Sequence, residues 1–446
     1  MDFLVDIINN LRPFEEISDA LKDSKSPIAV YGTTEGFCGI FSYALFRKLN
    51  KKLLIIAENR LSARKYYEDL FNISPLRVLL YPEKDIFLYD RDSKSRDNLK
   101  TRLGTISKIL TDDWDIIVTT LRALGDKISA RDVFLKNTLT IEKSKDIDIK
   151  SLNAKLLQMG YERYPQVEGM GQFSIRGNII DIATFSDNYR IELFDTEIDS
   201  IRTFELESQR SIDFIDSVKI YPTLDILISQ DDRLNAAKKI ENEINKTKLS
   251  GERKERLFEK FSLYKNRLVE DEYIQNPDLI IPFLNEDKLS GIIDFIGEDT
   301  ISILNEPKQI LEREETLELE NSETITEMIT FGEALPSHKN IYYPYLNIID
   351  KLRKRNLLTL NALLTSPKEF RPKAIVNFKM KSITNYRSKI KLFREDLDYY
   401  LSNGYKVILL GGSLKRAKRL HNFLLEFNLN VEFKEDRNTE FTNNFV

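Results

Sequence analysis

The sequence predicts an α/β protein in which a parallel-sheet domain is interrupted by a small α+β domain and followed by a second α/β unit. Three observations predict it. Short apolar strands alternate with helical segments from Ile28 to Thr119, the pattern of a sheet covered on both faces. From about Thr138 to Pro222 the period drops to two, as in strands with one wet face. Strand and helix patterns then resume as far as Phe427. The expected boundaries are 1–137, 138–222, 223–335 and 336–446, the third stretch completing the first domain.

In the first domain, Ile28 to Tyr31 reads as a buried strand, Gly32 to Gly39 as a loop, Ile40 to Leu49 as a helix and Leu53 to Ala57 as a second strand. Leu61 to Phe71, Val78 to Tyr81, Leu99 to Leu110 and Asp115 to Thr119 continue the alternation. The loop GTTEGFCG sits where a phosphate-binding loop would, at a helix N-terminus whose N–H groups and dipole favour anions. Its chemistry is absent. A working G-x-x-x-x-G-K-[ST] loop starting at Gly32 needs Gly, Lys and Ser or Thr where this chain has Phe37, Cys38 and Gly39. No lysine is available for the β- and γ-phosphates and no hydroxyl for Mg²⁺, and Glu35, beside Gly36, puts negative charge near the phosphate position. The loop is expected to be degenerate and not to hydrolyse ATP.

The small domain opens on a helix, Leu152 to Met159. In Phe173 to Ile179, a period of two puts Phe173, Ile175 and Ile179 on one face and Ser174, Arg176 and Asn178 on the other. The same period carries Ile180 and Ile182 outward, which either widens an apolar patch or signals a bulge. In Arg190 to Phe194 the inward pair is Ile191 and Leu193, leaving Phe194 outside with Arg190 and Glu192. An exposed aromatic among charges has the composition of an interface anchor. The alternatives are that a neighbouring domain covers Phe194 or that the register slips by one residue.

Asp231 to Glu272 is densely charged and reads as one or two exposed helices, with Leu257, Phe258, Phe261, Leu263 and Leu268 as the apolar side. Asp278 to Ile281, Gly291 to Phe295 and Thr300 to Leu304 look like strands able to rejoin the first sheet. An acid-rich stretch, Leu311 to Thr324, precedes the last unit. There, the strands Ala374 to Phe378 and Lys406 to Leu410 and the helices Ile390 to Leu401 and Leu414 to Phe427 are expected. The ending TEFTNNFV offers no capping element, as in a truncated chain.

Composition sets the remaining bounds. At 446 residues, with 41% hydrophobic and 31% charged, the chain has room for about three ordinary domains and no apolar run near the ~20 residues of a membrane span. MDFLVDIINNLRPFEEI carries acids and no basic leader, so it does not read as a signal peptide, and a cytoplasmic location without membrane attachment is expected. A single cysteine, Cys38, excludes an intrachain disulfide, while His338 and His421 lie far apart and none of the three has a catalytic companion. A Cys/His metal centre is not expected. The net charge of −4 and pI near 5.7 argue against nucleic acid as the main partner. Lys415, Arg416, Lys418 and Arg419 are a local exception, either a solvated helix face or a weak DNA contact.

GQFSIRGNIIDI and RIELFDTEIDSIRTFELESQRSI resemble the signature shared by the excision-repair helicase UvrB and the bacterial transcription-repair coupling factors. FLYDRDSKSRDNLKTRLGTISKIL, from Phe87 to Leu110, resembles the matching part of that module. The likeness is specific over Ile28 to Pro222 and mostly architectural from Asp225 onward. It implies a helicase-like (RecA-like) first domain, discontinuous in sequence, with an inserted domain that binds UvrA. Carried over residue by residue, the UvrA contacts of the coupling factors fall on Arg176, Arg190 and Phe194. UvrB resembles a competent helicase with an intact phosphate loop, whereas the coupling factors carry a degenerate one, as here. The resemblance also implies that ATP, Mg²⁺, RNA polymerase and double-stranded DNA are handled by regions outside this chain, which itself needs no cofactor. A helicase-like enzyme with a remodelled site is the competing reading, although no Asp-Glu pair follows Trp114 and Asp115 in the strand IIVTT. A third reading is an autoinhibitory structural module that restrains a motor.

Overall fold

The computed structural model describes residues 2–34, 36–73, 76–84, 96–270, 274, 276–365, 367–383, 386, 389–411, 413–429 and 431–435. Glu35, residues 87–95 of the second matching segment and the TEFTNNFV ending lie outside the described residues.

Four strands alternate with helices at the start of the chain: β1 (Ile28–Tyr31), β2 (Leu53–Ala57), β3 (Val78–Leu80) and β4 (Ile116–Thr120). A two-residue strand, β5 (Ile128–Ser129), follows. The small domain contributes β6 (Leu139–Glu142), β7 (Glu162–Arg163), β8 (Gln172–Arg176), β9 (Ile179–Ala183), β10 (Asn188–Phe194), β11 (Glu197–Phe204), β12 (Ser211–Ile215) and β13 (Ser217–Ile220). The chain then returns through β14 (Leu289–Ser290), β15 (Ile301–Asn305), β16 (Asn356–Asn361) and β17 (Ala374–Asn377).

Seven of these strands form one parallel sheet in the order β17-β1-β16-β15-β2-β4-β3. Alternate residues of β2 feed two cores. Leu53 and Ile55 meet Phe14, Phe41 and Leu70 on one face, whereas Leu54 and Ile56 meet Leu103, Ile106 and Leu352 on the other. Every β2 side chain is therefore buried, which explains its unbroken apolar run. The sheet is α/β, with the six-stranded sheet of the small domain inserted between β5 and β14.

The long-range pairings differ from expectation in informative ways. Residues 356–377 do not belong to a separate last unit, because β16 and β17 flank β1 in the first sheet. Of the three expected returning strands, only the last exists, as β15 between β16 and β2. Pro277–Phe283 and Ile292–Phe295 are short 3₁₀ helices; Pro277 and Pro282 have no N–H to give a ladder. The acid-rich stretch lies within a long helix, Pro307–Phe331, that buries Ile310, Leu311, Glu314, Ile325 and Met328.

The charged region forms a helical hairpin, Gln230–Asn245 with Glu252–Val269, joined through Ile240, Ile244, Leu257, Phe261 and Leu268. Phe258 and Leu263, expected on its apolar side, are exposed because they fall off the i, i+4, i+7 stripe. Near the end of the chain, helices Ile390–Ser402 and Leu414–Glu426 share a small core around Leu397, Leu424 and Val431. Lys406 to Leu410 is not a strand of either large sheet, yet Val407 and Leu409 pack against that core. No helix among the described residues is long and apolar enough to cross a membrane.

Candidate docking surface

The six strands of the small domain lie in the order β12-β11-β10-β9-β8-β7. Helix Ile149–Gln158, capped by Asp148, packs Leu152 and Leu156 against one face with Phe173, Ile180, Ile182 and Ile191. A tight turn at Gly177 and Asn178 pairs Arg176 with Ile179, Ile175 with Ile180 and Phe173 with Ile182. That turn resets the phase of the alternation. Ile180 and Ile182 are fully buried and no bulge is needed, while Ile179 joins Arg176 on the outer face. A single period run through Phe173 to Ile182 misses this because φ of Gly177 is +57°, a turn conformation that interrupts the pleat.

On the outer face, Phe214, Arg202, Arg190, Asp181 and Ser174 stand opposite one another across five strands. Asp181 is the hub. Its side chain is completely buried and accepts hydrogen bonds from Arg190 Nε at 2.7 Å, Arg190 Nη2 at 3.0 Å and Arg176 Nη2 at 2.7 Å. The hydrogen bond to Asp181 raises the Arg190 pKa further above its ordinary value. Arg190 also donates to the Gln209 carbonyl at 3.1 Å and stacks 4.8 Å from the Phe204 ring centre. Its side chain keeps 15% exposure, against 45% for Arg176.

The structure thus joins two of the sequence-selected residues on one carboxylate and leaves Phe194 apart at the end of β10, 78% exposed. Phe194 keeps the outer phase because Arg190, Glu192 and Phe194 alternate with buried Tyr189, Ile191 and Leu193. Beside them, Arg202 pairs with Glu192 and lies 4.7 Å from the Phe214 ring centre. Asp181, Arg202 and Phe214 were not selected from sequence. The only signal was an acid inside the apolar run IIDIA, since an unpaired charge has no place at a buried strand position.

The loop after β1 is closed by the chain itself. Gly32 has φ +70°, and a Cβ there would stand 1.8 Å from the carbonyl oxygen of Phe378. Phe378 N–H donates to Tyr31 O at 2.8 Å and Met380 N–H to Gly32 O at 3.1 Å. Gly36, with φ +88°, precedes helix Phe37–Leu49. The buried Phe37 ring lies 5.3 Å from Phe41 and 5.1 Å from Phe378. Burial pushes the Cys38 thiol up to about 12. These side chains build an apolar plug where a phosphate loop keeps polar donors.

Lys415, Arg416, Lys418 and Arg419 are exposed on helix Leu414–Glu426, and Lys418 pairs with Glu435 at 2.5 Å. His421 stacks 5.0 Å from Phe433. Among the described residues, no group of three or more His, Cys, Asp or Glu side chains is placed to hold a metal ion.

Residues 139–225 match the UvrB interaction domain family, a span that contains the whole six-stranded sheet. Over 443 residues, 98% of this chain, the sequence is 28% identical to a transcription-repair-coupling factor of Bacillus subtilis, covering 37% of that protein. A transcription-repair-coupling factor of Staphylococcus haemolyticus is 27% identical over 431 residues, 95% of this chain and 36% of its own length. One from Staphylococcus aureus strain MRSA252 is 27% identical over 390 residues, 86% of this chain and 33% of its own length. The chain therefore spans about a third of the length of the curated relatives it matches.

Proposed function

We propose that this chain, which corresponds to the N-terminal region of the transcription-repair coupling factors and carries a UvrB interaction domain, is a recognition module that binds UvrA. The observation that carries the reading is an exposed Phe194 on the same sheet face as two arginines preassembled on one buried carboxylate. Asp181 neutralises one guanidinium and fixes the geometry of both, so a surplus positive charge remains, mainly on half-open Arg176. That charge suits a carboxylate on the partner, reached by a charge-assisted hydrogen bond. Arg190 is chiefly a positioning residue, because its donors are already engaged within the sheet. Phe194 supplies the apolar contact, and holding it on a strand limits the entropy lost on binding.

Acting in the cytoplasm, such a module would bring excision repair to a stalled RNA polymerase. Polymerase contact and movement on double-stranded DNA would belong to parts of the longer protein outside this chain.

Calorimetric titration of the chain into purified UvrA tests the reading. The Phe194→Ala variant is expected to bind at least tenfold more weakly, since an aromatic anchor is worth ~2 kcal/mol or more. Arg176→Ala and Arg190→Ala are expected to weaken binding as well. Absence of binding by the folded native chain would remove the proposal.

The same reading assigns no ATP hydrolysis to this chain, in support of which buried Phe37 stands where a phosphate-binding loop needs glycine and packs on Phe378, whose carbonyl closes against Gly32. Titration with ATP and Mg²⁺ is expected to give no saturable heat. A tight, magnesium-dependent affinity would overturn this assignment and favour the remodelled enzyme.

A further inference from the structure

The outer face of the small-domain sheet exposes a second large aromatic that the docking reading leaves unused. Phe214 is 72% exposed, whereas its strand neighbour Ile215 packs against the domain core. Pairing settles which way it faces. Phe214 stands opposite Arg202, and Arg202 opposite Arg190, so it shares the face of Arg190 and Phe194. The strand that carries it, β12, is the edge of the sheet.

This side chain is held rather than loose. The Arg202 guanidinium lies 4.7 Å from the ring centre and also binds the Glu192 carboxylate, which accepts from Ser200 Oγ at 3.1 Å. A ring positioned before binding has less freedom left to lose. Two carboxylates of this face are answered within the sheet: Arg202 answers Glu192, and Arg190 and Arg176 answer Asp181. Covering these pairs leaves neither Asp181 nor Glu192 unmatched; Glu197, exposed opposite Phe194, stays at the rim, and the surplus positive charge sits at the Arg176 side.

Phe214 lies two strands across from Arg190, and Phe194 four residues along β10 from it. At ~4.8 Å per strand and ~3.4 Å per residue, the two positions are roughly 17 Å apart on the sheet. One partner patch of ordinary size, about 800 Å², spans that distance.

We propose that Phe214, braced by Arg202, is a second anchor for UvrA, so that the docking face runs from the end of β10 to the edge strand β12. The inference rests on the docking reading and extends it. The partner surface that fits has two apolar pockets flanking a polar strip, with an acidic group at the Arg176 border. Aromatic anchors with matched charges between them are the arrangement expected of paired hot spots within one interface.

The test uses the whole chain and purified UvrA, with native, Phe194→Ala, Phe214→Ala and doubly substituted proteins, each checked for an unchanged unfolding midpoint. Because the Phe214 ring is exposed, its removal should leave the fold intact. Phe214→Ala is expected to weaken binding about tenfold, and the double variant by about the product of the two single effects, as for separate anchors. Native-like binding by Phe214→Ala beside weakened binding by Phe194→Ala would overturn the second anchor and leave the docking reading standing. Native-like binding by both single variants and by the double variant would overturn both. Sedimentation supplies the last control: if the native chain self-associates and Phe214→Ala abolishes only that, the ring serves a second copy of this chain and the proposal fails.

Discussion

Replacing Arg102 with leucine should destabilise the protein by about 3–5 kcal/mol, the cost of removing one partner from a buried ionic group. Arg102 is 1% exposed. It donates to Asp126 Oδ2 at 2.7 Å, to the Tyr81 hydroxyl at 2.6 Å and to the Pro82 carbonyl at 2.6 Å, and its Nε lies 3.8 Å from Asp225. Lys84 completes the cluster, 3.0 Å from Asp225 and 2.5 Å from Asp278. The cluster ties three regions together. Arg102, Lys84 and Asp126 belong to the first half of the large domain, Asp225 to the strand-free return from the small domain, and Asp278 to the helical insert.

Burial already raises the Asp126 carboxyl above its ordinary pKa, and losing Arg102 raises it further. A folded-state pKa above the unfolded one means the native protein binds more protons in that interval, so stability falls as pH rises through it. Urea unfolding at pH 7 and pH 5 should therefore show a larger loss for Arg102→Leu at pH 7. The Arg102→Leu, Asp126→Leu pair should recover part of it, because an apolar replacement leaves one less unpaired charge. A single variant with native stability at pH 7 would sink this account of the junction.

Acid is expected to weaken the helical insert through His338. Its ring is fully buried 5.5 Å from both Phe261 and Phe283, and Leu335 N–H donates to Nδ1 at 3.0 Å. Desolvation lowers its pKa from 6.5 to about 4. Between those values the unfolded chain takes up a proton that the native one refuses. Stability present above pH 6.5 is thus lost as pH falls toward 4, by about 3 kcal/mol in all at ~1.4 kcal/mol per unit. Urea midpoints for the native protein and His338→Gln, measured from pH 7.5 to 4.5, separate this group from the carboxylates. Parallel curves for the two proteins would show that His338 contributes nothing to the acid response.

His338 also shows where local pattern is a poor guide. After Pro336 it reads as a loop residue, yet it is in the core, because the hairpin helix Glu252–Val269 and the Pro277–Phe283 turn close over it. The strands β16 and β17 show the same gap. Nothing in NLLTLN or AIVN announces which sheet they enter, and only the pairing with β1 reveals that the chain continues the first domain as far as Asn377.

What the sequence determined by itself is what depends on neighbours along the chain. The α/β alternation, the outward phase of Arg176, Arg190 and Phe194, and the lack of a phosphate-loop lysine follow from side-chain period and residue identity. What only the tertiary structure decided depends on partners distant in sequence or on how a turn resets the pleat. The Gly177 turn buried Ile180 and Ile182, Asp181 drew two arginines from different strands onto one carboxylate, and Phe378 filled the loop after β1. Periodicity gives the direction of a side chain within one strand; hydrogen-bond register and chain closure choose what it meets there.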